Sequence, residues 1–151
     1  MVATGVRRWL TWGATAVVTA GLVLSANTAA YGDEAQAVQV CNSESSGETN
    51  YEWLESLTIP DGLGTVHLLW DDTTGTNCAM TFGSVSGRTY MDVGLQHTGG
   101  DNAVWDHGDF TQYAGPVYLE ANFVCVDYTG AVGDRSAIDE NRRCGGNPGL
   151  E

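Results

Sequence analysis

Between Val104 and Ala121 the chain reads VWDHGDFTQYAGPVYLEA, a run rich in groups capable of chemistry: the carboxylates Asp106, Asp109 and Glu120, the imidazole of His107, and the aromatics Trp105, Phe110, Tyr113 and Tyr118. Glycoside hydrolysis needs two carboxylates facing one another across a sugar. Asp106 and Asp109 are the pair to consider, but three residues apart around Gly108 they suit local backbone capping equally well. Nineteen acids in the chain make accidental pairs numerous, so the spacing carries no assignment of catalysis. Calcium is the better chemical match, because a hard cation takes several oxygens from a flexible loop. Asp101, Asn102, Asp106 and Asp109 are its candidate ligands, without the spacing of an EF-hand.

Other chemistries find less. GSVSG at 83–87 has Val85 where a nucleophile elbow needs serine, and it joins two strand-like runs, so it reads as a turn. His67, His97 and His107 lack the spacing of a transition-metal site, with His67 expected to face outward from a strand and the other two to lie by turns. The separations of Cys41, Cys78, Cys125 and Cys144 contain no C-x-x-C pair and no close histidine, which points to two disulfides rather than metal. The favoured pairing is Cys78 with Cys125, both inside apolar strand-like runs, and Cys41 with Cys144, tying the ends together. No motif implies a cofactor. Trp53, Trp70 and Trp105 are expected in the core; left exposed on a sheet face, such aromatics could instead stack on sugar rings.

The elements that must position these groups follow from periodicity. TVHLLW (65–70) and CAMTF (78–82) have the two-residue period of strands and form a hairpin across DDTTGTN. RTYMDVGL (88–95) turns Thr89, Met91, Val93 and Leu95 inward and Arg88, Tyr90, Asp92 and Gly94 outward. Gly115 and Pro116 mark an edge or bulge before VYLEA, and FVCVDY is a strand with Cys125 near its middle. YEWLESL (51–57) has the spacing of a single helical turn, and VWDHGDF reads mainly as an acidic turn. The sum is an all-β, single-domain sandwich or small barrel of about six short antiparallel strands, stapled by disulfides.

Arg7 and Arg8, an apolar run at 9–25 and the small residues that follow have the order of a secretory signal peptide, with cleavage after Ala30 or after Ala37. The expected organisation is a signal peptide at 1–30, a polar arm at 31–50, a β-domain at 51–130 and a glycine-rich charged tail at 131–151. Beyond residue 30 the chain carries four arginines, no lysine and all nineteen acids, a net charge of −15. Such a surface repels nucleic-acid phosphates and anionic lipid headgroups and leaves cations and uncharged polymers as partners.

The segments HLLWDDTTGTNCAMTF (67–82) and WDHGDFTQYAGPVYLEANFVCV (105–126) resemble the actinobacterial spore-associated protein A family. Its members pair a Leu-Leu-Tyr/Trp strand and an Asn-Cys strand with a later D-x-G-x-F/Y…YAGPV segment and a Cys-Val strand. The matching residues are Leu68, Leu69, Trp70, Asn77 and Cys78, then Asp106, Gly108, Phe110, Tyr113 to Val117, Cys125 and Val126. The resemblance covers roughly residues 51–130, leaves 31–50 without a counterpart, and carries over no catalytic residue. It implies a small exported protein found outside the cell, on spores or aerial growth, with no established enzymatic activity. The expected function is accordingly non-enzymatic and at the outer surface of the cell or spore, with a cell-wall or spore-surface polymer as expected partner; the alternatives are an extracellular polysaccharide- or calcium-binding module and, after these, a small hydrolase.

Overall fold

The computed structural model describes residues 32–142 and 144. In chain order their elements are α1 (Glu34–Glu44), β1 (Glu52–Ile59), β2 (Gly64–Asp71), β3 (Thr76–Gly83), β4 (Thr89–His97), β5 (Ala103–Phe110), β6 (Tyr113–Glu120), β7 (Val126–Val132) and β8 (Arg135–Arg142), with a 3-10 turn at Pro60–Gly62. The strands form two antiparallel sheets, β1-β2-β3-β6 and β5-β4-β7-β8, packed face to face. This is the expected all-β fold in its sandwich form, with eight strands among the described residues rather than about six.

The apolar runs of β2 and β3 are nearly continuous because both of their faces are covered. Val66, Leu68 and Ala79 point into the sandwich, against Met91, Val93, Leu95, Val126, Tyr128 and Val132 of the second sheet. Leu69, Cys78, Met80 and Phe82 point the other way, against Ala37 and Cys41 of α1. The described residues thus form three layers: helix, first sheet, second sheet.

The segment 31–50, read as a polar arm, holds this helix, with Tyr31 outside the described residues. Asp33 caps α1 by accepting from the Gln36 amide at 2.9 Å, and the Gln36 side chain reaches back to the Gly32 amide at 2.7 Å. The helix buries only Ala37 and Cys41, one turn apart, so its apolar stripe is too narrow to read as a core helix. A cut after Ala37 would remove the first turn of α1, whereas a cut after Ala30 leaves it whole. The signal-peptide reading itself, for residues 1–30, lies outside the described residues.

Four further expectations are corrected. YEWLESL is a strand, not a helical turn, because Leu54 and Leu57 reach one core across a bulge between Trp53 and Glu55. VWDHGDF is the body of β5, not a turn. The tail expected from 131 contains the end of β7 and all of β8, whose Arg142 pairs with Glu55 of β1 and joins the edges of the two sheets. The disulfides are Cys41–Cys78 and Cys125–Cys144, not the favoured pairing. Cys78 projects to the helix side of the first sheet, and Cys125 precedes β7 instead of lying within it, so the sandwich core stands between them.

Candidate functional site

In β5 the burial alternates residue by residue: Val104, Asp106, Gly108 and Phe110 turn inward, and Ala103, Trp105, His107 and Asp109 outward. Asp106 and Asp109 therefore leave opposite faces of one strand, and no facing carboxylate pair exists between them. Asp101 lies before the start of β5, and Asp109 near its far end, with the extended run from Ala103 to Asp109 alone spanning roughly 20 Å. Asn102 sits in the turn before β5 with a left-handed φ of 52°, its amide 3.5 Å from His97 Nδ1. The four calcium candidates are not brought together, and no group of three His, Cys, Asp or Glu able to hold a metal ion occurs among the described residues. Glu120 ends β6, and its carbonyl contacts His97 Nε2 at 2.8 Å.

What Asp106 does instead is structural. Its carboxylate accepts the Gly115 amide at 2.7 Å. Ala79 pairs with Val117 and Thr81 with Ala114, so β6 fits one extra residue against β3. This bulge contains Gly115, at φ +91°, and its cis bond to Pro116. The extra residue lets Ala114 and Val117 both face the core, and Tyr113 and Tyr118 both face α1. The tyrosines then hold the helix: Tyr118 donates to the Cys41 carbonyl at 3.0 Å and Tyr113 to Glu44 at 3.1 Å.

The other end of the helix layer is held by His67, which is buried and faces α1 rather than solvent. Its Nε2 lies 2.8 Å from the Gly32 carbonyl, which can only accept, so Nε2 carries the proton and Nδ1 accepts the Ser56 hydroxyl at 2.8 Å. The Trp53 indole donates to the same Ser56 oxygen at 2.9 Å. Serine, imidazole and carbonyl stand in the order of an activated nucleophile. Yet the ring is enclosed, and each of its nitrogens is already committed. Burial pulls the His67 pKa below the ordinary histidine value, with the Gly32 carbonyl, Glu34 and Asp33 opposing it. The unfolded chain therefore takes up the proton first. Stability is expected to be full above about pH 6.5 and to fall as the pH drops from there toward the lowered native value. A urea-unfolding series across this range should show the decline in the native protein and lose it in His67→Gln.

Among the described residues, no helix or strand layer covers the outer face of the second sheet. Registers set Trp105 opposite Gly94, Gly94 opposite Thr129 and Thr129 opposite Ile138, and in the next row His107 opposite Asp92 and Asp92 opposite Ala131. Tyr90 stands opposite Asp109, and its hydroxyl is 3.3 Å from Asp92. Trp105 is 52 % exposed, Tyr90 43 % and Ile138 60 %. A methyl at Gly94 would strike three ring carbons of Trp105, Cε3, Cζ3 and Cη2, so the indole lies over the glycine with its other face open to solvent. The core placement expected for Trp105 and Trp53 is thus corrected, since Trp53 is 38 % exposed; Trp70 is in the core as expected. Periodicity turned Tyr90, Asp92 and Gly94 outward correctly. Trp105 escaped it because β5 inverts the usual pattern, with Asp106 and Gly108 inside and the indole outside.

These features define a helix-covered, doubly disulfide-stapled β-sandwich whose second sheet presents an open aromatic and acidic face. Among the described residues no helix is long and apolar enough to cross a membrane. The chain belongs to the spore-associated protein A family: it is 32% identical over 136 residues to spore-associated protein A of Streptomyces coelicolor, covering 87% of this chain and 84% of that protein. No protein-family model matches it, and no solved structure does.

Proposed function

We propose that this chain is a non-enzymatic protein, exported and held at the outer surface of the cell or spore, where it acts by contact with a surface polymer. The observation that carries the reading is the relationship to spore-associated protein A across most of both chains. Two disulfides agree with an oxidising location outside the cytoplasm. An exposed sheet face with aromatic side chains agrees with binding rather than with bond-making chemistry.

The test is sedimentation of purified mature protein with isolated spore coats, peptidoglycan and chitin. Co-sedimentation with at least one is expected; recovery of all the protein in the supernatant of all three would overturn the reading. Ser56 is where the non-enzymatic half is most exposed to failure. A fluorophosphonate probe is expected to leave it unlabelled, and labelling lost in Ser56→Ala would show a nucleophile.

A further inference from the structure

We propose that the outer face of the second sheet binds a polysaccharide carrying free amino groups, a glucosamine polymer, with Trp105 as its stacking platform. The inference rests on the surface-polymer reading above and names the polymer's chemistry and the residues that meet it.

The platform is built rather than incidental. The indole is braced from beneath by the Gly94 backbone, which leaves one broad apolar surface facing solvent on a sheet that no other element of the described residues covers. The C–H face of a sugar ring lies on such a surface, while its hydroxyls need acceptors at the rim. Tyr90, Asp92, His107 and Asp109 supply that rim on the adjoining row positions. The floor beyond Trp105 is low, made of Thr129 and Ala131, so an extended chain can lie across the strands toward Ile138. A folded protein partner would want a contiguous apolar centre, whereas here Trp105 and Ile138 stand on opposite edge strands.

Charge selects the amine. The ion pairs among the described residues engage Asp61, Asp134, Glu55 and Asp139, and leave the carboxylates of Asp92 and Asp109 without a cation. Arg88 donates to the Asp109 carbonyl, not to its carboxylate. An ammonium group beside the indole is attracted both by these carboxylates and by the ring face. A polyanionic glycan would meet repulsion from the whole domain, which has no lysine beyond residue 30 or before it.

Retention of the mature protein on chitosan, chitin and polylysine beads tests this. Retention on chitosan is expected to exceed that on chitin and on polylysine. Trp105→Ala is expected to weaken it about tenfold, Trp105→Tyr less, and Gly94→Ala to weaken it by displacing the ring while keeping the indole. Asp92→Asn with Asp109→Asn should erase the preference for chitosan over chitin. Circular dichroism confirms that each variant folds, and Trp105→Tyr keeps the test decisive where another does not. Equal retention of native protein and the folded Trp105 variants, equal retention on polylysine, or no preference for chitosan over chitin would each overturn the proposal. Native protein that sediments with spore coats but ignores chitosan overturns this inference and leaves the surface reading standing; failure to sediment with any surface preparation removes the surface reading itself.

Discussion

Serine at both Cys41 and Cys78 is expected to lower the unfolding free energy by about 4 kcal/mol, against about 3 kcal/mol for serine at both Cys125 and Cys144. The order follows from the chain each bond closes: the bonded residues are 37 apart in the first case and 19 in the second, and the longer loop has more unfolded-state entropy to lose. The two bonds also differ in what they join. Cys41–Cys78 is fully buried and links the helix layer to the first sheet, whereas Cys125–Cys144 fastens the segment that follows β8 to the approach to β7. Against the 5–15 kcal/mol typical of a domain, loss of the first bond is a large fraction of the whole. Urea unfolding of the two double variants checks the order. Non-reducing peptide mapping checks the pairing: a fragment linking Cys78 to Cys125 would contradict it.

Alanine at Gly115 is expected to cost about 3 kcal/mol, the sum of a left-handed backbone and a crowded site. The added carbon would lie 2.9 Å from the Ala79 carbonyl oxygen and 3.0 Å from Val93 Cγ1, with φ already at +91°. Asp106→Ala should cost about 1–3 kcal/mol by leaving the Gly115 amide without its acceptor, and Asp106→Asn less, since an amide oxygen still accepts. Both lesions act on one bulge, so their effects should fall short of additive in the double variant. They should also reach the helix layer. Without the extra residue in β6, Tyr113 and Tyr118 cannot share a face, and hydrogen exchange in α1 is expected to quicken. An equilibrium cost below 0.5 kcal/mol for Gly115→Ala would contradict this account of the YAGPV segment.

Much of the fold was legible because hydrophobic alternation is a backbone property. Met91, Val93 and Leu95 face the core as the period of two required, and β2 and β3 form the hairpin that their runs imply. What failed depended on contacts distant in sequence. The α1 stripe is only Ala37 and Cys41, and a D-x-x-Q start at Asp33–Gln36 was the one local signal of it. The disulfide pairing turned on which side of the first sheet Cys78 faces, and that is settled by the helix covering it. His67 looked exposed for the same reason, since alternation puts it opposite the core without saying what packs there.

The candidate site divides in the same way. Tyr90, Asp92 and Gly94 were placed outward by periodicity, but Trp105 was not, because its own strand turns polar residues inward to serve the β6 bulge. Asp106 looked like a ligand or an acid when read beside Asp109; in the fold its carboxylate is spent on the Gly115 amide. Asp106 and Tyr113 to Val117, within the stretch that carries the resemblance, are thus residues that shape β6, and the face left open beside them is where binding is proposed.

The most direct measurement is protease shaving of intact, washed spores from the producing organism, with quantitative mass spectrometry of the released peptides and of the lysed remainder. The account predicts that peptides of the chain beyond residue 30 are released from the surface, with all four cysteines oxidised. Recovery of the chain only after lysis, with its thiols free, would contradict it.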